Sequence, residues 1–148
     1  MKTHPTKTGT EWRLWRWHDI DSGLISRLYL LETPWFAICL NWLNRPDPEP
    51  YLHDHPASFL SIVLRGWYTE ERLTPAERTW PDHPSRVRNR SWFNFIRAHA
   101  LDRHRITYVA PSTLTLCFMG TNVRTWGFHR PGGWISGQDY YDLPKAER

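Results

Sequence analysis

The sequence has few cysteines, no long apolar run and few signals for helix. Its 148 residues include only two cysteines, Cys39 and Cys117, and each lies inside an apolar segment. Small secreted domains that depend on disulfides carry more cysteine, so we interpret both as reduced core residues. No apolar stretch approaches the ~20 residues of a membrane-spanning helix, and the N-terminal residues show no signal peptide. These absences predict a soluble, cytoplasmic protein without a membrane segment.

Helical periodicity is missing, whereas strand signals are frequent. Twelve prolines and eight glycines interrupt the chain, and no window holds a convincing apolar stripe at helical spacing. Short segments rich in aromatic and β-branched residues end instead at Pro, Gly, Asn or Asp. The strands predicted in this way are 11–17, 27–32, 35–44, 59–65, 67–72, 91–98, 104–109, 113–119 and 124–129. Strands spaced this closely predict an all-β sandwich or barrel, and the length fits a single domain over residues 1–148.

Three segments are predicted to lack regular secondary structure. Residues 44–50 contain three prolines in five positions and cannot sustain a strand ladder. Residues 74–90 mix prolines with alternating arginines, which predicts a long hairpin loop that is mobile or packs on a second subunit. Residues 143–148 are expected to form a short flexible tail.

The charge of the chain is positive, with a formal net charge of +4 and a basic complement made almost entirely of arginine. This composition suits an anionic partner or substrate. The ten tryptophans could stack on bases, but aromatic residues are also good strand formers. Because no recognised nucleic-acid motif accompanies the charge, we expect a small-molecule ligand and not a nucleic acid.

The most informative segment runs from Tyr51 to Gly66 and begins with His53-Asp54-His55-Pro56. Residues two apart on a strand point to the same face, so His53 and His55 would project side by side. Two imidazoles that converge from a rigid backbone form a chelating pair, and imidazole is a common ligand for zinc, iron and nickel. A bare His-x-His pair also occurs as two ordinary histidines at a turn.

This segment resembles the first motif of the cupin superfamily: His-x-His, three or four residues, Glu, six residues, Gly. The spacing from His55 to Gly66 fits that pattern, while Phe59 stands where many cupins carry a metal-binding Glu. The resemblance implies a cupin-type jelly-roll barrel, also called a double-stranded β-helix. It also implies a divalent metal ion (Fe, Zn, Ni or Mn) and a homodimer that pairs through sheet faces.

The second cupin motif supplies one further histidine from a strand across the barrel, and the matching strand here contains His104. That strand alternates, so His104, Ile106 and Tyr108 would share one face. If Ile106 and Tyr108 point inward, His104 also points inward and faces the His-x-His pair. The alternative interpretation is that His104 is a core histidine that hydrogen-bonds a backbone carbonyl. His99 could add a fourth ligand or serve as a proton shuttle, or it could be an ordinary loop histidine.

The segments at 53–70 and 104–128, taken in their order along the chain, are similar to those of a group of small, single-domain cupin-like proteins of bacteria and their phages, mostly without an assigned function. The resemblance covers about residues 27–141, and its strongest anchors are residues 53–70 and 104–128. The resemblance implies a fold and a metal pocket but does not predict which reaction the protein performs.

Polar residues of the expected barrel lining could take part in chemistry or binding. If the predicted strand 59–65 runs without a bulge, Ser61 and Arg65 share a face, and an inward Arg65 would offer a fixed cation to a substrate carboxylate or phosphate. The opposite face, with Leu60, Ile62 and Leu64, is equally apolar, so the alternation does not decide which face is inward. Tyr68 and Glu70 share a face of the next strand, where they, or Tyr108, could act as acid or base beside a metal.

Three functions therefore stay open. The first is a metal-dependent enzyme, an oxygenase or isomerase acting on a small acid, with His53, His55 and His104 leaving positions open for water and substrate. The second is a metal-free, sugar-nucleotide epimerase-like cupin with a histidine base and a tyrosine acid. The third is a bacterial or phage accessory module that binds a ligand or a protein without turnover.

Overall fold

A computed structural model of the protein describes residues 12–20, 23–74 and 85–148. Of these residues, 55% lie in strands and 7% in helices, which confirms the predicted all-β class. The described residues form twelve strands, one short α-helix and one 3-10 helix. The strands are β1 (Arg13–Ile20), β2 (Ile25–Glu32), β3 (Ala37–Leu43), β4 (Leu52–His53), β5 (Phe59–Arg65), β6 (Tyr68–Leu73), β7 (Arg86–Arg90), β8 (Phe95–Ala98), β9 (Arg103–Val109), β10 (Thr113–Met119), β11 (Gly127–Arg130) and β12 (Gly133–Ser136); the helices are α1 (Gly137–Asp142) and the 3-10 helix Lys145–Glu147.

The strands form two antiparallel six-stranded sheets. The first sheet has the order β1-β2-β3-β10-β5-β8, and the second has the order β12-β11-β4-β9-β6-β7. Apolar residues from the two sheets meet between them: Leu43 and Val63 of the first sheet pack with Tyr68 of the second. This is the two-layer arrangement of a jelly roll, and it closes one core between the sheets.

Strand alternation decides which side chains reach the interior. On β3 the buried positions are Ala37, Cys39, Asn41 and Leu43, every second residue. Cys39 lies opposite Cys117 in the register of β3 and β10, and both thiols are buried and form no disulfide. This agrees with the prediction of reduced core cysteines.

The structure corrects the sequence-based elements at three places. Part of the predicted loop 74–90 is the edge strand β7, whose alternating arginines pair with β6; positions 75–84 lie outside the described residues. Helix α1 follows Ser136, whose hydroxyl accepts a hydrogen bond from the backbone N–H of Asp139 and caps the first turn. The expected tail contains the 3-10 helix, and the Arg148 guanidinium bonds the Leu143 carbonyl at 2.9 Å. None of the described helices is long and apolar enough to cross a membrane.

One turn fixes the end of the β5–β6 hairpin. Gly66 has φ +72°, a left-handed conformation that L side chains rarely adopt. A Cβ at this position would lie 2.5 Å from Thr113 Oγ1 and 2.8 Å from Thr113 Cα. Both the backbone conformation and the close approach of β10 therefore require glycine here.

Candidate metal centre

His53 and His55 lie on and next to the short strand β4, in the middle of the second sheet. His53 pairs with Phe128 of β11 on one side and with His104 of β9 on the other. The strand ends at His53, so His55 lies just beyond it, where its backbone N–H donates to the Ala100 carbonyl at 3.2 Å. The prediction that both histidines lie on one strand is therefore wrong for His55, but the two rings still converge, with centroids 5.2 Å apart.

His104 reaches the same point from β9, as its strand alternation predicts. Its ring centroid lies 4.8 Å from that of His53 and 4.7 Å from that of His55. The ligand nitrogens of the three histidines lie within 4.8 Å of one another, and His55 Nε2 is 2.8 Å from His104 Nε2. Two nitrogens that each lie about 2.1 Å from one ion are about 3.0 Å apart when they subtend a right angle. The three imidazoles therefore form a group that fits a metal ion.

Glu70 of β6 orients the third histidine. Its side chain is fully buried, and Oε2 lies 3.1 Å from His104 Nδ1. Burial alone would raise the pKa of Glu70, but the hydrogen bond with His104 and the positive charge of Arg90 lower it to about 2. An ionised carboxylate can only accept, so Nδ1 of His104 donates this hydrogen bond and Nε2 is the ring nitrogen that faces the centre.

Arg90 of β7 holds Glu70 from the other side. The Arg90 Nε donates to Glu70 Oε1 at 2.7 Å, and a second guanidinium nitrogen bonds the same oxygen. Both side chains are largely buried in this ion pair, although Arg90 belongs to the segment predicted as a loop. The signal that could have found this pair is the shared parity of Glu70 with Tyr68 and Arg72 on β6, because all three are buried.

The surroundings of the histidines are apolar and aromatic. The Phe59 ring, in the position of the cupin Glu, packs edge-on against His55 with centroids 4.9 Å apart, while Trp126 and Phe128 lie 6.3 and 6.2 Å from His53. Burial lowers the pKa of His53 to about 4, and the neighbouring His104 adds to this effect. Burial also lowers the pKa of His55 well below its usual value. Both imidazoles are therefore neutral at pH 7, the form that binds metals.

Asp54, between the two histidines in sequence, anchors the loop that carries them. It is buried, and its carboxylate accepts hydrogen bonds from the Gly127 backbone N–H at 2.8 Å and from Arg124 at 2.7 Å. Trp134 Nε1 donates to the same carboxylate at 3.0 Å, and His129 Nε2 lies 2.9 Å from it. Asp54 thus ties β11 and β12 to the segment after β4 and holds the backbone from which His55 projects.

Two arginines place positive charge beside the histidines. Arg72 of β6 and Arg27 of β2 both lower the pKa of His55 by their charge. Arg27 Nε donates to Asn41 Oδ1 at 2.6 Å, and another guanidinium nitrogen bonds the Tyr29 hydroxyl at 3.3 Å. Since Asn41 and Tyr29 are buried, Arg27 is an arginine of the barrel interior that the sequence analysis missed. A negatively charged ligand near His55 would be stabilised by both guanidiniums.

Two β-bulges overturn the predicted orientation of Tyr108 and Arg65. The β6–β9 register shifts between Thr69 and Glu70, where one residue of β9 has no partner on β6. As a result Tyr108 does not line the barrel: it is 46% exposed and stacks on Trp67. The β5–β10 register also shifts, between Arg65 and Val63. Arg65 is exposed at the end of β5 and its Nε donates to the Ser112 carbonyl at 2.9 Å. An extra residue reverses every later side chain of a strand.

The remaining predicted site residues lie in three different environments. Ser61 is buried on β5, opposite Cys117 of β10. Tyr68 is buried in the apolar core, and this burial raises the pKa of its hydroxyl. His99 is exposed in the loop after β8 and does not belong to the group of His53, His55 and His104. The structure thus brings the three predicted histidine ligands together without the possible fourth.

Neither the protein-family models nor the curated proteins compared with this chain match it. Solved structures, in contrast, do match this chain. KdgF from Halomonas sp. superposes with a TM-score of 0.55 at 16% identity, covering 74% of this chain and 95% of KdgF. Oxalate decarboxylase from Lactobacillus farciminis, in complex with formate, has a TM-score of 0.55 at 11% identity, with coverage of 90% and 37%.

A third similar structure is the hydroxypropylphosphonic acid epoxidase from S. wedmorenis, with a TM-score of 0.52 at 11% identity, covering 72% of this chain and 55% of the epoxidase. These proteins are cupins. At such low identity the likeness shows the fold alone. The chain therefore has the cupin fold, a jelly-roll barrel with three converging histidines.

Proposed function

We propose that this protein is a metal-dependent enzyme that holds one divalent ion on His53, His55 and His104 and acts on a small anionic molecule. The observation that carries the proposal is the convergence of three imidazoles from β4, the loop after it and β9, with His104 oriented by Glu70. Three protein ligands that leave positions open are typical of catalytic metal sites.

The residues around the histidines have separate roles in this proposal. A bound ion would supply Lewis acidity to a coordinated water or substrate oxygen. Glu70 keeps the proton of His104 on Nδ1, and Phe59 contributes no oxygen ligand, so positions stay open for water and substrate. Arg27 and Arg72 supply the positive charge that would hold a carboxylate or phosphonate close to His55.

The similar structures support this substrate class through what their names say of those proteins. They include an epoxidase of hydroxypropylphosphonic acid, also solved with Fe(II), and a decarboxylase of oxalate. Another is described as a putative mannose-6-phosphate isomerase from Ralstonia eutropha, at 18% identity and a TM-score of 0.51. We therefore propose an oxygenase or isomerase reaction on a small acid.

The metal-free, epimerase-like alternative has weaker support. It needs a histidine–carboxylate pair and an inward tyrosine. His104 and Glu70 form such a pair, but Tyr108 is stacked on Trp67 at the surface. Tyr68 is buried, and because burial raises its pKa, its hydroxyl is a poor acid. The structure thus offers a base without a suitable acid.

Calorimetric titration of chelator-treated protein with Fe(II), Zn, Ni and Mn tests the metal, and we expect one ion per chain. The loaded protein is then incubated with small carboxylates and phosphonates, and products are followed by NMR together with oxygen uptake. Oxygen consumption identifies an oxygenase, and conversion without oxygen identifies an isomerase. Turnover that survives chelation would support the metal-free alternative, and saturable binding without product would support the non-catalytic module.

A further inference from the structure

A second cationic site lies where the edges of the two sheets meet. Strand β7 ends the second sheet and β8 ends the first, and a cavity of about 240 Å³ lies beside them. Its lining includes Arg72, Arg86, Arg88, Arg90 and Arg97, which come from β6, β7 and β8. We call this feature the arginine cavity.

The strand register explains why the arginines collect there. In the β6–β7 ladder, Arg86 lies opposite Arg72 and Arg88 lies opposite Glu70. Directly opposed residues of an antiparallel pair share one face of the sheet. The alternating arginines of β7 therefore project to the same side as the buried Glu70 and Arg72, toward the first sheet.

The positive charge of the arginine cavity is only partly neutralised. Among the described residues, Glu70 pairs with Arg72 and Arg90, and Asp102 pairs with Arg72. These two carboxylates offset two of the five guanidinium charges. Within the same described ranges, neither Arg88 nor Arg97 forms an ion pair with a carboxylate. Like charges at this density repel, so the free energy of the folded chain falls when an anion enters.

Arg72 adds a separate indication of a missing ligand. Only 9% of this residue is exposed, yet its Nε has no hydrogen-bond partner in the described part of the chain. Its terminal nitrogen Nη2 donates a hydrogen bond to the Arg97 carbonyl at 2.7 Å and another to the Asp102 carboxylate. A buried donor without a partner is costly. The arginine cavity therefore contains both excess charge and an unsatisfied donor.

We infer that the arginine cavity binds the phosphate group of a small phosphorylated molecule. Guanidinium groups match the oxygens of a phosphate in pairs, and a phosphate dianion offsets more of the surplus charge than a carboxylate does. Phe95, 65% exposed, also lines the cavity and offers an apolar surface to the rest of the ligand. The volume is below the ~300 Å³ at which ordinary ligand pockets begin, so the cavity suits a small ligand.

This site goes beyond the proposed metal function. No histidine lines the arginine cavity, and Glu70 stands between it and the metal centre, with Arg90 bound to Oε1 and His104 to Oε2. Phosphate binding therefore does not require the metal, and the two proposals can fail separately.

Calorimetric titration of chelator-treated protein with inorganic phosphate and pyrophosphate, at constant ionic strength, tests the inference. The test variant is the double substitution Arg86→Gln and Arg88→Gln, both exposed positions, so folding should be retained. The matched control removes two exposed charges elsewhere, Arg13→Gln with Lys145→Gln. We expect the test variant to weaken binding by about tenfold or more and the control by less than about twofold.

A third variant, His55→Ala, separates the arginine cavity from the metal centre, because pyrophosphate is itself a metal ligand. We expect it to retain pyrophosphate binding within about twofold. The inference is overturned if pyrophosphate does not bind at millimolar concentration, if the control pair weakens binding as much as the test pair, or if His55→Ala abolishes it. Tight binding of a single-stranded oligonucleotide without measurable pyrophosphate binding would also overturn it, in favour of a nucleic-acid surface.

Discussion

Replacing Glu70 by glutamine tests how the protein orients its third histidine. The substitution keeps the size of the side chain but removes its charge. In the native protein the carboxylate accepts a hydrogen bond from His104 Nδ1 and two from Arg90. An amide is a weaker acceptor and can also donate, so the proton of His104 is no longer confined to Nδ1. We expect the variant to bind the metal more weakly while His53 and His55 remain in place.

The structure allows the size of both effects to be estimated. Loss of a partner that orients a metal-ligating histidine costs about 10- to 100-fold in metal affinity, or about 1.4–2.7 kcal/mol. The variant also leaves the Arg90 guanidinium, 11% exposed, without its counter-charge, which costs about 3–5 kcal/mol of folding stability. The lowering of the Glu70 pKa from 4.5 to about 2 corresponds to about 3 kcal/mol, in agreement with that range.

The assay is competition with a chromophoric zinc chelator, together with urea unfolding to correct for the folded fraction. Glu71→Gln is the matched control: Glu71 is the next residue and carries the same charge. It lies on the other face of β6 and bonds Arg105 at 2.6 Å. The control should change metal affinity by less than about twofold. Equal affinities for Glu70→Gln and the native protein, or an equal loss in the control, would refute the orienting role of Glu70.

Three further predictions concern pH, a turn and an exposed arginine. Because the pKa of His53 is lowered to about 4, its stabilising neutral form is lost only on acidification. Below pH ~6.5 the unfolded chain takes up protons that the folded chain does not, so the metal-free protein should lose roughly 3 kcal/mol between pH ~6.5 and ~4. Urea unfolding would contradict this if stability stayed constant across that range. Gly66→Ala should destabilise the protein by about 2–4 kcal/mol in urea, because alanine is strained at φ +72° and meets Thr113; a loss below 1 kcal/mol would refute the turn geometry. Arg65→Gln should leave metal affinity within about twofold of the native value, since Arg65 bonds a surface carbonyl; a tenfold loss would restore the original interpretation of this residue.

The fold and the three histidines could be predicted because they depend on local patterns. Alternating strands bounded by turn residues are visible in one sequence, and so is a His-x-His segment at a fixed distance from Gly66. His104 was predicted from the position of its strand in the order of cupin-like segments and from the alternation of that strand. These signals need no knowledge of the partner strand, which is why β5 and β10 were predicted with their observed bounds.

The residues around the histidines could not be predicted, because their positions depend on pairing and bulges. A one-residue bulge turns Tyr108 outward and another accompanies the exposure of Arg65, and neither leaves a mark in the sequence. Glu70 can be buried because His104 and Arg90, 34 and 20 residues away, compensate its charge. Arg27 reaches the interior because Asn41 of the neighbouring strand accepts its hydrogen bond. Long-range polar contacts of this kind become visible only when the register is known.

The central claim is that His53, His55 and His104 together hold one metal ion. Its most direct test is the metal content, by mass spectrometry, of His53→Ala, His55→Ala and His104→Ala after equilibration with one equivalent of metal and gel filtration. The exposed His99, replaced in the same way, is the control. We predict about one ion per chain in the native and control proteins and less than about a tenth in each of the three variants, with the barrel still folded by circular dichroism. Full metal occupancy in a folded His104→Ala protein would contradict the three-histidine site.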